Sequence, residues 1–184
     1  KAAPLIGISR HRLSTDGEGV TTLVAFHGCP LRCKYCLNPQ SLHSEDIWKH
    51  YDCGQLYEEV KQDELYFLAT HGGITFGGGE PCLQSDFIDE FRQLCGQEWQ
   101  LSVETSLNVA QENIEKLVPV VDSYIIDIKD INNAIYQKYT GKDNEKVLHN
   151  LQYLIDHGKN EQIIVRTPVI PAYNTENDVD YSIR

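Results

Sequence analysis

Apolar positions along the chain fall into short runs that alternate between two periods. Val20–Phe26 (VTTLVAF) is β-branched and apolar and stops at His27-Gly28, the pattern of a buried strand. Gln55–Ala69 carries Leu56, Val60, Leu65 and Leu68 at helical spacing, which predicts an amphipathic helix. A short strand over Gly73–Phe76 runs into GGGEP at 77–81. Helical spacing returns over Asp86–Leu94, with Phe87, Ile88, Phe91 and Leu94 on one side. Further strands are predicted over Gln100–Glu104, Ser123–Ile128 and Ile163–Val169, the last interrupted by Pro168. Helices are predicted over Gln111–Val118, Lys146–Asp156 and from Asn174 onward. Val147, Leu151, Leu154 and Ile155 form the inward side of the second of these, and Gly158 supplies its C-cap.

Five strands alternating with helices imply an α/β fold built on a parallel sheet. No fixed-period repeat or low-complexity linker divides the chain, so 1–184 is expected to be one domain. A full eight-unit barrel takes about 250 residues, so a partial TIM-like (β/α) barrel of about five to six units is expected. The chain has no methionine and stops just after a helix start, so it is expected to be a fragment, incomplete at its C-terminus. In such sheets ligands bind at the carboxyl ends of the strands. The unusual residues fall there: three cysteines after the first strand, GGGEP after the second, Glu104-Thr105 after the third, Asp127 and Lys129 at the fourth, Arg166 at the fifth.

Charge and composition narrow the classes. With 27 acidic against 16 basic residues the net charge is −11, which disfavours a phosphate backbone as main partner. No apolar run approaches membrane-spanning length, and Lys1–Arg10 has no signal-peptide core. The charge and the lack of such a run predict no nucleic-acid or membrane partner, and six cysteines without a secretory signal predict reduced thiols in the cytoplasm.

The candidate chemistry centres on GCPLRCKYC, residues 28–36, where Cys29, Cys33 and Cys36 stand at C-x3-C-x2-C. A closed tetrahedral site needs four ligands and a disulfide two, so three thiols suggest a metal centre with one position open. Closely spaced thiolates suit iron–sulfur clusters. The competing possibility is a zinc site completed by His27, Cys53 or Cys82. A structural zinc site has no use for the glycine-rich turn, which lets backbone approach a ligand closely, or for Glu80, which can pair with an ammonium. GGGEP also lacks the Lys-Ser/Thr of a phosphate-binding loop. Cys53 and Cys95 are expected to be incidental, and Cys82 to pack in the core.

C-x3-C-x2-C with Tyr35 before the last cysteine, followed by GGGEP, resembles the radical S-adenosylmethionine (SAM) superfamily. Asp16-Gly17-Glu18-Gly19 is similar to the D-G-P-G element of glycyl-radical-enzyme activating enzymes, with Glu18 in place of proline. The stretches VET (103–105), IDIK (126–129) and VRTPVIP (165–171) resemble pyruvate formate-lyase-activating enzymes at corresponding places.

The resemblance implies that Cys29, Cys33 and Cys36 hold one [4Fe–4S] cluster, with the SAM amino and carboxylate groups on its fourth iron. It implies that Gly77, Gly78, Gly79 and Glu80 receive the SAM amino group, and that Tyr35, Asp127, Lys129 and Arg166 shape the cofactor site. Reductive cleavage of SAM would yield methionine and a 5′-deoxyadenosyl radical, which takes a Cα hydrogen from a glycine of a partner glycyl radical enzyme. Asp16, Gly17, Glu18 and Gly19 would hold that partner's glycine loop, and flavodoxin or ferredoxin would donate the electron. Glu104, Thr105, the carbonyl of Ile125 and Asp127 are expected to bind Na⁺ or K⁺. Two other functions compete: a radical SAM enzyme with a small-molecule substrate, similar to carboxydeazaguanine synthase, and a non-catalytic iron–sulfur or zinc module.

Overall fold

Strand β2 (Val20–Phe26) is the hinge of the architecture, because parallel and antiparallel pairing meet on it. In the computed structural model, which describes residues 1–13 and 15–184, it is followed in parallel register by β4 (Gly73–Gly78), β5 (Gln100–Thr105), β6 (Ser123–Asp127) and β7 (Ile163–Arg166). On the other side of β2 lie β1 (Ala3–Leu13) and β3 (Lys49–Tyr51), both antiparallel. The sheet order is β3-β1-β2-β4-β5-β6-β7. The five predicted strands are therefore the parallel ones, and the fold is a partial (β/α) barrel with two added antiparallel strands.

β1 and β3 escaped the pattern for physical reasons. β1 passes through Arg10-His11-Arg12, and its register on β2 shifts twice, between Leu5 and Gly7 and between Ser9 and Arg12. Shifts of that kind erase a clean period of two. β3 has three residues and is ordered by pairing with β1.

The helices are α1 (Cys53–Val60), α2 (Glu64–Thr70), α3 (Ser85–Cys95), α4 (Gln111–Leu117), α5 (Asn133–Thr140), α6 (Glu145–Asp156) and α7 (Glu176–Ile183). The helix expected over Gln55–Ala69 is broken at Lys61–Asp63. That turn brings Asp63 under β2, where its carboxylate accepts from Thr22 Oγ1 at 2.8 Å and meets His11 and Arg10 at 3.2 and 3.6 Å. The helical phase shifts with it. Phe67 is buried, and Leu65 and Leu68, expected inside, are exposed. Leu94 and Ile155 likewise face outward. β7 stops at Arg166, short of the expected Val169, because Pro168 cannot donate to a ladder.

Alternate residues of the parallel strands pack against the helices. Phe26 stacks on Phe76 at 5.5 Å, and Phe91 meets Phe76 edge-on at 5.5 Å. Trp99, Tyr57 and Phe67 extend this layer. Arg92 is buried within it and donates to the carbonyls of Val120, Gly96 and Trp99 while pairing with Asp122.

Candidate active site

The cysteine loop leaves β2 at its carboxyl end and is fastened on two sides. Gly28 N donates to Ser41 O at 2.8 Å. Arg32 N and Lys34 N donate to the carbonyls of Thr140 and Tyr139 at the end of α5, at 2.9 and 3.1 Å. The glycine turn closes onto the same loop: Gly79 N donates to Phe26 O and Glu80 N to Gly28 O, at 2.9 and 2.8 Å. A Cβ on Gly79 would sit within the Gly28 carbonyl, so this contact admits only glycine. The two elements expected to share a site are thus bonded to each other.

The six thiols divide into two sets. Cys53 donates to Phe87 O at 3.4 Å, Cys82 to Thr105 Oγ1 at 3.3 Å, and Cys95 to the carbonyls of Arg92 and Gly96. Cys29, Cys33 and Cys36 have no such partner among the described residues and are half-buried on one loop. Burial pushes the Cys29 thiol up to about 12, with a backbone hydrogen bond from Leu31 opposing and the charges of Glu80, Cys33 and Cys36 adding to it. Cys33 is raised chiefly by burial too, with Lys129 opposing. Bound iron reverses that order, because it takes the thiolate.

Among the described residues no three of His, Cys, Asp and Glu close on a single metal ion. A cubane presents a separate iron to each thiolate, so its ligands stand wider apart than those of one ion. Of the candidates for completing a zinc site, Cys53 and Cys82 are buried and already bonded. His27, whose buried Nε2 has no hydrogen-bond partner among the described residues, does not close on a single ion with the loop thiols. Three clustered thiols without partners fit a cluster.

Glu80 differs from its expected role. It is 1% exposed and its carboxylate is already engaged: Oε1 accepts from Thr105 Oγ1 at 2.6 Å and Cys82 N at 3.1 Å, and Oε2 from Ser106 N and Oγ at 2.9 and 2.6 Å. It holds the turn after β4 to the end of β5, while its backbone N–H bonds the cysteine loop at Gly28 O.

The expected cation ligands are not assembled as expected. Thr105 points to the helix side of β5 and bonds Glu80, because successive strand residues face opposite ways. Ile125 lies inside the ladder, between Glu104 and Ile164. Glu104 and Asp127 do converge, but on Arg166, which donates from Nη1 to Glu104 at 3.0 Å and from Nε to Asp127 at 2.7 Å. Lys129 adds a second cation to Asp127 at 3.1 Å. A guanidinium occupies the space between the carboxylates, and the residues do not fit a monovalent ion there.

The two carboxyls respond differently. Burial pushes Glu104 above its usual range, with Arg166 opposing and Asp16 and Asp127 reinforcing. Burial would raise Asp127 as well, but Lys129 and Arg166 together hold it below its usual range.

The Asp16–Gly19 loop lies under the concave face. Asp16 is buried, pairs with Arg12 and accepts from Thr75 Oγ1 through its carbonyl, while Gly17 lies over Thr21, Thr75 and Ser102. Gly19 packs on Thr70, and Glu18 follows a buried Asp16 toward solvent. Tyr35 is exposed and set edge-on to Tyr173 at 6.0 Å.

Several residues that build the site carry no sequence signal. Asn108 donates to Tyr136 Oη and Asp143 O, Asn144 to the carbonyls of Asp130 and Ile131, Asn150 to those of Leu107 and Val109, and Asn174 to Pro168 O. These buried amides clamp the loops beyond β5, β6 and β7. An asparagine in a loop looks the same whether it clamps or faces water.

Residues 23–181 match the family model described as the radical SAM superfamily. The chain belongs to the radical SAM superfamily. Membership brings a [4Fe–4S] cluster and SAM as cofactors, which the thiol set above suits. Among curated relatives, the chain is 30% identical to the (2S)-3-sulfopropanediol dehydratase activating enzyme of Klebsiella oxytoca, over 88% of this chain and 69% of that protein. It is also 30% identical to pyruvate formate-lyase 1-activating enzyme of Escherichia coli K12, over 90% of this chain and 67% of that protein. A crystallised domain of a pyruvate-formate lyase-activating enzyme from Bacteroides vulgatus aligns with a TM-score of 0.52 and 27% identity, over 60% of this chain and 69% of that one. Within the superfamily the chain groups with the enzymes that activate glycyl radical enzymes.

Proposed function

We propose that this chain installs a glycyl radical on a partner protein, acting in the cytoplasm as a single domain. The observation that carries the proposal is the junction of three unpartnered thiols with the glycine turn at the carboxyl ends of β2 and β4. The similarity to activating enzymes over nearly nine-tenths of the chain supports it. When bound, the cluster and SAM supply a one-electron cleavage that yields methionine and a 5′-deoxyadenosyl radical.

The chain's own residues bind and orient. Cys29, Cys33 and Cys36 hold the cluster. The backbone of Gly77, Gly78 and Gly79 lines the place for the SAM amino group, and Glu80 sets that backbone against the cysteine loop. Lys129 and Arg166, anchored on Asp127 and Glu104, present positive charge on the concave face toward a carboxylate. The Asp16–Gly19 loop bounds the floor of that face, where a glycine-bearing loop of the partner would have to come close and water be excluded.

The test is anaerobic reconstitution with iron and sulfide, followed by reduction with SAM and a glycyl radical enzyme encoded beside this chain's gene. A glycyl radical signal in electron paramagnetic resonance, with one methionine formed per radical, is expected. A colourless zinc-loaded protein that never cleaves SAM would sink the proposal. Cleavage without radical transfer to any such partner would favour a small-molecule substrate.

A further inference from the structure

Asn108 and Tyr136 form a buried pair that the function above does not use. Tyr136 stands on α5 and is fully removed from solvent. Its Oη accepts from Asn108 Nδ2 at 3.1 Å, and the same Nδ2 donates to Asp143 O at 2.7 Å. A carbonyl oxygen can only accept, so the second bond fixes which end of the amide faces the phenol. Asn108 therefore takes up a lone pair of Oη and leaves the phenol's own proton free. Among the described residues that proton has no acceptor. A buried donor left unpaired destabilises a fold, so a hydroxyl held in this way points to an acceptor that a bound group supplies.

The cysteine loop is placed to carry that group. Cys33 lies between Arg32 and Lys34, whose amides donate to Thr140 O and Tyr139 O at the end of α5. Tyr136 is one turn back on the same helix, where its carbonyl accepts from Thr140 Oγ1. Burial pushes the Tyr136 phenol above its usual range, with the Asn108 bond opposing and the charges of Cys33, Glu80 and Cys29 adding to it. The hydroxyl thus stands within electrostatic reach of two loop thiols. Glu80 is not its acceptor, because both carboxylate oxygens are taken by Thr105, Ser106 and Cys82 N. Tyr124 supplies the contrast. Its buried Oη also lacks a partner among the described residues, but the charges that act on it are those of Cys82 and Asp122, and no loop thiol is among them.

We propose that the Tyr136 hydroxyl donates a hydrogen bond to the Cys33 thiolate of the cluster and so raises the cluster's reduction potential. The inference rests on the reading that Cys29, Cys33 and Cys36 hold a [4Fe–4S] cluster, and it does not depend on the partner protein. Hydrogen bonds to cluster sulfurs are one of the protein's means of setting the potential. The sulfurs carry more negative charge once an electron has entered, so a donor favours [4Fe–4S]⁺ over [4Fe–4S]²⁺. The phenol keeps its proton throughout. Asn108 is the positioning residue, because its bond to Oη turns the proton away from the amide and strengthens the phenol as a donor.

The experiment compares reconstituted parent, Tyr136→Phe and Tyr124→Phe at matched iron and sulfide content. A redox titration before SAM is added, followed by electron paramagnetic resonance of the reduced cluster, reads the potential. Tyr136→Phe should be about tenfold harder to reduce, a fall of about 59 mV for one electron. Tyr124→Phe should match the parent. Resonance Raman spectra of the oxidised cluster should show the iron–thiolate stretch displaced in Tyr136→Phe alone. Placing 3-fluorotyrosine at position 136 keeps the shape and makes a stronger donor, so it should raise the potential above the parent's. An unchanged potential in fully loaded Tyr136→Phe would overturn the role of Tyr136 and leave the reading of the thiols intact. Should Tyr136→Phe assemble no cluster, the fluorinated variant decides, and a parent-like potential there overturns the proposal. An equal fall in Tyr124→Phe would overturn it too, since loss of any buried hydroxyl would then suffice. A parent that assembles no [4Fe–4S] cluster would remove the reading of the thiols and this proposal with it.

Discussion

The two faces of the same five parallel strands are built on opposite terms. On the helix side, Phe26, Phe76, Leu101, Val103, Tyr124 and Ile126 are fully buried and pack on α1, α3, α4 and α6. On the concave side the intervening positions carry Thr21, Thr75, Ser102, Glu104, Asp127 and Arg166. One face stabilises the fold by removing apolar area from water. The other keeps charge in place by pairing, Arg12 with Asp16 and Arg166 with both Glu104 and Asp127. Burying and pairing charges contributes little net stability compared with apolar packing. Substitutions on the two faces should therefore separate stability from chemistry.

The largest effect is expected at the loop thiols. Alanine at Cys29, Cys33 or Cys36 should abolish the brown chromophore and SAM cleavage and leave the unfolding midpoint of the apoprotein unchanged, since these thiols donate to no other group. Full cleavage by any of the three would break the division. Cys95→Ala, on the helix side, should preserve both properties.

Phe76→Ala tests the other face. It removes a ring that touches Phe26 and Phe91, and urea denaturation should show a loss of about 3–5 kcal/mol. A loss well under this would mean that the helix layer collapses around the cavity.

Glu80→Ala sits on the boundary. It strips partners from Thr105, Ser106 and the Cys82 amide, all buried, so stability should fall by about 1–3 kcal/mol for each group left unsatisfied. SAM affinity, measured by calorimetry on the reconstituted variant, should fall with it because the glycine turn loses its brace. Weaker SAM binding with unchanged stability would mean that Glu80 acts on the cofactor directly and that its internal bonds are dispensable.

A smaller effect follows from the unlike carboxyls. Glu104 is held high, so it takes its proton first as pH falls, and the folded state is relieved of a buried charge. Asp127 is held low, so its contribution is present above the unfolded carboxyl range and is lost as pH falls through its own value. Acid should first add and then remove stability at this site. Carbon-detected titration should place the Glu104 midpoint above the usual range and the Asp127 midpoint below it, and the reverse order would refute the pairing. The smallest effect is expected from salt identity. With Arg166 between the carboxylates, exchanging Na⁺ for K⁺ or a bulky organic cation at fixed ionic strength should leave SAM cleavage unchanged.

Sequence alone determined the five parallel strands, the fold class and the three thiols, because each rests on local regularity. Strand periods, C-x3-C-x2-C and GGGEP are each written within about a dozen residues. It did not determine β1 and β3, whose irregular or brief segments become strands only by pairing. Nor did it determine the break at Lys61–Asp63, which follows from Asp63 reaching Thr22 across 41 positions. The roles of Glu80, Thr105 and Arg166 were decided at the tertiary level as well. Motif spacing places a carboxylate near a site, but whether it faces a ligand, a hydroxyl or a guanidinium depends on which chains the fold brings beside it. Glu80 lies 25 residues from Thr105 and Arg166 lies 62 from Glu104, distances over which no pattern in a single sequence specifies a partner.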